Sequence, residues 1–336
     1  MKKIMKTFMT MIIMITVSFG SFNTLPINVY AADTAEAVQM VSMYTYDEMC
    51  SDITALQSQF PGSVTTGSIG TTALGRNIPY FTIGNTASGH NILIQSTVHA
   101  REYLATQVVM KMAEYYLTNR QDILQNVCFW IVPMGNPDGV DIAQFGTAHI
   151  TDEATKNFVL QTGHATEWKA NAMGVDINRN FDIGWAQLTP RVNGRSYMNY
   201  KGDAAVTENE TKALVAFASA RQYDAFISYH MQGNVIYYDE PGNTTENSAR
   251  STQLATAVAN VNGYELRNLN KAVATNEVQQ GGFTDWVQIV FNKPAITIEV
   301  GSSLPPQAQS SVSSIYNRNR DTWAAIASLY TPYTQS

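Results

Sequence analysis

Apolar residues recur along this chain in two patterns, one with a helical period and one of continuous runs of strand length. Met49, Ile53 and Leu56 share one face of a helix, and Thr45 with Glu48 precedes them at the spacing of a capping box. The same patterns predict strands at 63–70, 77–84, 91–99, 126–134, 223–230 and 294–300, a turn at 135–139, and helices at 102–118, 246–262 and 307–330. A further helix is predicted from a second capping-box pair, Thr207 and Glu210.

Buried strands that alternate with amphipathic helices are typical of an α/β fold with a largely parallel sheet and helices on both faces. The chain has 336 residues, of which 45% are hydrophobic and 14% charged, and this composition is typical of a globular protein with a large core. No repeat or interdomain linker interrupts the pattern. We therefore expect a single α/β domain with a mixed, largely parallel sheet over residues 44–332.

The first 32 residues have the features of a secretory signal. Lys2, Lys3 and Lys6 form a positive segment, an apolar run follows from Phe8 to Val17, and small residues near Ala31 form a cleavage site. An uncleaved membrane anchor is the alternative, but the apolar run is shorter than a bilayer requires. Residues 33–43 then form a short N-terminal extension. We expect an exported protein without stable membrane association.

The net charge of the protein limits the kinds of partner that it is expected to bind. The formal net charge is −6, and loss of the three signal lysines makes it more negative still. A strongly acidic protein is poorly suited to bind nucleic acid or an anionic membrane surface. A peptide substrate is the expected partner, and the oligomeric state stays open.

Two cysteines are too few for a disulfide framework. Cys128 lies in an apolar run of strand character, so a buried thiol is expected there. A bridge between Cys50 and Cys128 is the alternative.

Three ionisable residues lie where predicted buried strands end, and a fourth begins the helix that follows one of them. His99 closes one strand with Glu102 three residues on, and His230 and Glu299 close two others. Ligands of open α/β sheets bind at the carboxyl ends of the strands. Two histidines, one glutamate and an open water position form a catalytic zinc pattern. The alternatives are a core histidine for His230 and an exposed edge residue for Glu299.

Five sequence blocks follow one another in an order that resembles the zinc carboxypeptidases. The blocks are 98–103 (VHAREY), 136–139 (NPDG), 174–181 (GVDINRNF), 228–230 (SYH) and 297–300 (TIEV). The resemblance covers roughly residues 44–330 and implies one Zn²⁺ per chain, held by His99, Glu102 and His230. It also implies that Glu299 is the general base and that Asp176 orients the first histidine ligand.

The resemblance further implies that Arg101, Asn178 and Arg179 bind substrate, including a C-terminal carboxylate. Arg179 provides the planar guanidinium that suits such a group, and a solvated arginine is the alternative. Lys169 stands where the family has a transition-state arginine, and a lysine can still stabilise an oxyanion as a point charge. Glu277 stands where the family has a tyrosine that covers the substrate. Thr284 matches the floor of the specificity pocket, and its neutral side chain implies no charge preference.

The expected function is that of a secreted zinc metallocarboxypeptidase that hydrolyses C-terminal peptide bonds. The alternative within the same family is a bacterial cell-wall peptidase that cleaves γ-D-glutamyl–diamino acid bonds of peptidoglycan stem peptides. The sequence around Trp168 and the Gln232-Gly233 pair resemble that bacterial branch. A catalytically inactive binding module is the alternative from a different class.

Overall fold

An eight-stranded mixed sheet forms the centre of the protein. The computed structural model describes residues 36–41, 43–271 and 281–331. The predicted signal, the first residues of the extension and Glu277 lie outside the described residues. The strands are β1 (Val64–Thr71), β2 (Asn77–Gly84), β3 (His90–Ser96), β4 (Val127–Val132), β5 (Ala225–His230), β6 (Val235–Tyr238), β7 (Glu265–Asn268) and β8 (Ala295–Glu299).

The strand order is β1-β2-β4-β3-β5-β8-β6-β7. The central strands β4, β3, β5 and β8 run parallel, whereas β1–β2, β2–β4 and β6–β8 are antiparallel pairs. This arrangement confirms the expected α/β fold with a mixed, mostly parallel sheet. Because β3 connects to β4 on one side and β5 lies on its other side, the topology reverses between β3 and β5. Such a switch point is where open α/β sheets bind their ligands.

Helices cover both faces of the sheet. They are α1 (Tyr46–Gln59), α2 (Leu104–Asn119), α3 (Gln121–Leu124), α4 (Pro137–Phe145), α5 (Glu153–Thr162), α6 (Asn209–Ser219), α7 (Thr245–Asn262), α8 (Phe283–Trp286), α9 (Val312–Asn319) and α10 (Thr322–Ala327). One face packs against α1, α2, α7, α9 and α10, and the other against α6 and α8. Among the described residues, no helix has the length and apolar character that crossing a bilayer requires.

The α8 face of the sheet changes from apolar to polar along the strands. Leu93, Phe226 and Ala295 begin it inside a buried apolar cluster. Two residues later come Gln95, Ser228 and Thr297, which we call the polar row. Two residues further, His230 pairs with Glu299 across β5 and β8. Side chains two apart on a strand share a face, so this face directs its polar groups to the carboxyl edge of the sheet.

Several element boundaries differ from those expected. β3 ends at Ser96 rather than at residue 99, the predicted turn at 135–139 contains the start of α4, and the predicted helix 307–330 is divided into α9 and α10. The pair Thr207/Glu210 forms no capping box, because the backbone N–H groups of Thr207 and Glu208 donate to Asn180 Oδ1 and α6 begins only at Asn209.

Both cysteines are free. Cys128 belongs to the apolar cluster on the α8 face, whereas Cys50 packs against the cluster on the opposite face. The sheet therefore lies between them, and the alternative of a Cys50–Cys128 bridge is wrong.

The described part of the N-terminal extension packs against α2. Val38 is fully buried, and its backbone N–H donates to Glu114 Oε1 at 3.2 Å. Lys111 Nζ donates to Val38 O at 2.8 Å and to Glu114 Oε2 at 2.7 Å. A buried lysine is tolerated only when such partners surround it. The extension thus contributes to the core of the domain.

The capping box at the start of α1 is confirmed: Glu48 N donates to Thr45 Oγ1, and Thr45 N donates to Glu48 Oε2. We expect Thr45→Ala to lower the free energy of unfolding by about 1 kcal/mol, because it removes this acceptor. Thr54→Ala is the matched control, since Thr54 is exposed on the same helix. Urea denaturation measures both, and equal losses in the two variants would contradict a capping contribution.

Candidate active site

Three buried side chains converge at the carboxyl edge of the sheet, at the switch point between β3 and β5. His99 follows β3, Glu102 ends the 3₁₀ turn Ala100–Glu102, and His230 is the last residue of β5. His230 Nδ1 lies 3.0 Å from His99 Nδ1 and 3.0 Å from Glu102 Oε2, and His99 Nδ1 lies 2.9 Å from Glu102 Oε1. The three ligand atoms all lie within 4.8 Å of one another, so the group can hold a metal ion.

The donor chemistry of this triad fits zinc. Two imidazole nitrogens that face each other at 3.0 Å need a proton or a cation between them. Burial favours the neutral form of Glu102, but the two histidines outweigh burial and hold its pKa below the usual range. Met231 N also donates to Glu102 Oε2, at 3.1 Å, which fixes the carboxylate. A preoriented His₂Glu set is the ligand set of catalytic rather than structural zinc sites.

Asp176 lies beside the first histidine, where a residue that orients it would be expected. The residue is fully buried, and its Oδ1 lies 3.2 Å from His99 Nε2, on the ring edge opposite the metal-facing nitrogen. Such a carboxylate fixes the tautomer and direction of a metal-binding imidazole. Burial opposes its ionisation, but Lys169, His99 and Arg179 prevail and hold the pKa of Asp176 well below its usual range.

Lys169 and Arg179 meet at the second oxygen of the same carboxylate. Lys169 Nζ and Arg179 Nε each lie 3.4 Å from Asp176 Oδ2. Two of the cations that were expected to act on the substrate thus contact Asp176, and Asp176 in turn lies beside His99 of the metal triad. Burial lowers the pKa of Arg179 from its usual value, whereas the charge of Asp176 raises it. The guanidinium group stays protonated despite the shift.

Asn136 holds the segment that carries Lys169 against the end of β3. Its amide donates to Val98 O at 3.0 Å and to Ala170 O at 2.9 Å, while its oxygen accepts from Gly139 N. A Cβ atom on Gly139 would lie 2.5 Å from Ala170 O, so only glycine fits there. The NPDG block therefore has a positioning role that the sequence alone did not reveal.

Glu299 ends β8 beside His230, on the same sheet face. Burial raises its pKa to about 7 and the charge of Glu102 adds to this, whereas His230 and Lys169 oppose it. Its Oε2 atom is buried and has no hydrogen-bond partner among the described residues. A metal dication held by the neighbouring triad would lower this pKa, because it favours the carboxylate form. The position and the acidity both suit a general base.

Asn178, Thr284 and Arg101 are the other residues that were expected to bind substrate. Asn178 Oδ1 accepts from Phe283 N at 3.0 Å, so this side chain positions the start of α8. Thr284 Oγ1 lies 2.9 Å from Thr297 Oγ1, which places it against the polar row below Glu299. Arg101 Nε is buried without a hydrogen-bond partner in the part of the chain that the structure describes.

Comparison with known families identifies the chain. The family model described as zinc carboxypeptidase matches residues 49–325. The chain belongs to the zinc carboxypeptidase family. It is therefore a zinc metallopeptidase, and the resemblance seen in the five sequence blocks is confirmed.

Individual relatives add detail. A gamma-D-glutamyl-L-diamino acid endopeptidase 1 from Lysinibacillus sphaericus is 30% identical over 81% of this chain and 69% of its own length. Carboxypeptidase B from Canis lupus familiaris is 28% identical over 72% of this chain and 59% of its own. The crystal structure of carboxypeptidase A from Helicoverpa armigera superposes with a TM-score of 0.71 at 19% identity, covering 87% of this chain and 75% of that one. The structural match supports the fold.

We expect His230→Ala to lose bound zinc, because two remaining ligands hold the ion poorly compared with three. His149→Ala is the matched control, since the side chain of His149 is half exposed beside Asp141. Metal analysis of the purified proteins should find about one zinc per chain in wild type and control. Full zinc occupancy in His230→Ala would show that the triad is not the site.

We expect Glu299→Gln to retain zinc and fold but to lose turnover by about 10²–10⁴-fold, the usual effect of removing a general base. The amide is nearly isosteric with the acid, so the site keeps its shape. Zinc analysis and circular dichroism serve as controls for the kinetic assay. Activity within about threefold of wild type would assign the base to another group.

Proposed function

We propose that this protein is an exported zinc peptidase that hydrolyses γ-D-glutamyl–diamino acid bonds in stem peptides of the bacterial cell wall. The observation that supports this proposal most is the 30% identity to a relative whose name gives that activity. This identity favours the cell-wall activity over general C-terminal trimming, which is the other candidate function within the family. The apolar N-terminal segment supports export, which places the enzyme where such substrates occur.

The residues of the site suit such a hydrolysis. We propose one zinc per chain, held by His99, Glu102 and His230; when bound, it acidifies water and polarises the scissile carbonyl. Glu299 accepts a proton from the attacking water as the new C–O bond forms. It then passes that proton to the leaving nitrogen as the C–N bond breaks.

Two cations have separate tasks in this proposal. Lys169, held at 3.4 Å from Asp176, stabilises the negative charge that develops on the carbonyl oxygen. Arg179 binds the carboxylate of the leaving residue, and Arg101 and Asn178 contribute to substrate binding. Lys169 acts as a point charge rather than a fork, so it tolerates a substrate carbonyl presented at a different angle. In a γ-linked glutamate the scissile carbonyl belongs to the side chain, so it lies farther from Cα than a backbone carbonyl does.

Trimming of ordinary C-terminal residues is the second candidate function. Its support is the similarity to carboxypeptidase B and the presence of Asn178-Arg179, which match the carboxylate anchor of the family. Both candidates use the same metal triad and the same base. They differ in the linkage that the enzyme accepts.

A pair of synthetic peptides tests the proposal: L-Ala-γ-D-Glu-L-Lys and its counterpart with an ordinary α-linked L-Glu. We expect kcat/KM for the γ-linked peptide to exceed that for the α-linked peptide by about 10-fold or more, the effect of one well-placed polar contact. Glu299→Gln, purified in parallel, controls for contaminating peptidases. Products are identified by mass spectrometry.

Preferential cleavage of the α-linked peptide would refute the cell-wall proposal and support C-terminal trimming. Amidating the C-terminus separates the two kinds of recognition further. If Arg179 binds the terminal carboxylate, amidation should lower kcat/KM by roughly 10-fold or more in wild type and little in Arg179→Ala.

A further inference from the structure

Lys169 and Asp176 lie at opposite ends of one short turn, and the side chain of Asn171 closes that turn. Asn171 is fully buried. Its Oδ1 atom accepts from Met173 N at 3.1 Å and from Val175 N at 3.0 Å, and its backbone N–H donates to Val175 O at 2.8 Å. These bonds join the chain just after Lys169 to the chain just before Asp176. They therefore fix the separation of the two charged residues.

The amide group of the same side chain attaches the turn to the start of α6. Asn171 Nδ2 donates to Glu208 Oε2 at 2.7 Å and to Glu210 Oε2 at 3.1 Å. Glu208 precedes α6, and Glu210 lies in its first turn. An asparagine side chain has two donor hydrogens and an oxygen that accepts two bonds, and all of these are used here. The orientation of Asn171 is therefore determined by both segments at once.

Glu210 has few other partners. The residue is fully buried, its Oε1 atom has no hydrogen-bond partner among the described residues, and no lysine or arginine of the described chain forms an ion pair with it. Burial raises the pKa of Glu210 to about 7, the charges of Asp138 and Glu208 add to this, and hydrogen bonds from its own backbone and from Asn171 oppose it. A buried carboxyl group is costly without donors, so its bond to Asn171 couples α6 to the turn.

The start of α6 also holds the segment that carries the second cation. Asn180 directly follows Arg179, and its Oδ1 atom accepts from the backbone N–H groups of Thr207 and Glu208 at 3.0 and 3.2 Å. Each of the two cations beside the buried aspartate is thus followed, within two residues, by a buried asparagine bonded to residues 207–210. This segment is a common anchor for both cations.

We propose that Asn171 is a positioning residue for Lys169, and that its bonds to Glu208 and Glu210 hold Lys169 where negative charge develops on the scissile carbonyl. The inference rests on the proposed function, in which Lys169 stabilises that charge. A lysine side chain is a point charge on a flexible stem, so its backbone must be fixed if the charge is to be preorganised. Asn171 acts through Lys169 and not on the substrate.

A double-mutant cycle tests the proposal. We expect Asn171→Ala to lower kcat by about 10- to 100-fold with KM changed by less than about threefold, because a misplaced oxyanion-stabilising group affects the transition state more than substrate binding. In a Lys169→Ala background the same substitution should lower kcat by less than about threefold, because the group that it positions is absent. Equal losses in the two backgrounds would overturn the proposal and leave Asn171 a structural role only.

Asn262→Ala is the matched control. Asn262 is also a buried asparagine, its Oδ1 accepts from Tyr264 N two residues on at 3.0 Å, and its Nδ2 donates to Asn319 Oδ1 at 3.1 Å. This substitution should lower the free energy of unfolding but leave kcat within about threefold of wild type. Urea denaturation and zinc analysis accompany the kinetics of every variant. A fall in kcat as large as that of Asn171→Ala would show that lost stability explains both, which would overturn the proposal.

Should Asn171→Ala fail to fold, Asn171→Asp decides in the same two backgrounds. Aspartate keeps the size of the side chain and the acceptor that closes the turn, but it places a third carboxyl group against Glu208 and Glu210. We expect kcat to fall by about 10-fold or more when Lys169 is present and by less than about threefold when it is absent. An unchanged kcat in Asn171→Asp would overturn the proposal.

The outcome is separable from that of the proposed function. Every kcat is measured on whichever of the γ-linked and α-linked peptides wild type cleaves, so a failed γ preference rejects the cell-wall substrate and leaves the cycle intact. A Lys169→Ala enzyme with kcat within about threefold of wild type would reject Lys169 as the oxyanion-stabilising group, and the positioning role of Asn171 with it. A retained γ preference with equal losses in both backgrounds would reject the positioning role alone.

Discussion

Burial of the Asp176 carboxylate is the constraint on which the geometry of the site depends. An ion in that position is stable only if cations and donors surround it, and the fold places His99, Lys169 and Arg179 around its two oxygens. One oxygen fixes the imidazole that faces the metal. The other keeps two cations close together that would otherwise repel each other. A single buried charge thus sets the relative positions of His99, Lys169 and Arg179, for which we propose roles in metal binding, oxyanion stabilisation and carboxylate binding.

The change from apolar to polar along the α8 face of the sheet explains how this charge cluster coexists with a stable core. Leu93, Phe226 and Ala295 pack in the interior, and the polar row and then the pair His230–Glu299 follow toward the carboxyl edge of the sheet. On the opposite face β5 and β8 stay apolar to their ends. Because residue faces alternate, the strands can stabilise the domain on one side and present chemistry on the other.

Much of this could be predicted from the sequence, and the limits have physical causes. Long apolar runs identified β3, β4, β5 and β8. Strand-end placement indicated His99 and His230, and the spacing of Glu102 from His99 completed the candidate metal triad. β6 and β7 have four residues each, too few to give a clear pattern. Thr207 has the spacing of a capping box with Glu210, but its backbone N–H donates to Asn180 Oδ1 instead of to the glutamate. Tertiary contacts of this kind leave no signature in local spacing.

The burial of Glu240 could not be predicted from local sequence for a related reason. Asp239-Glu240-Pro241-Gly242 has the composition of an exposed acidic turn, and nothing in it indicates that Glu240 is almost fully buried. Asp285, whose carboxyl group shares a hydrogen bond with that of Glu240, follows Thr284 directly in the sequence. The two carboxyl groups meet only because β6 runs antiparallel to β8 while α8 packs on the same face. Family motifs therefore indicate the candidate metal ligands and base, whereas the burial of Glu240 depends on contacts that only the fold creates.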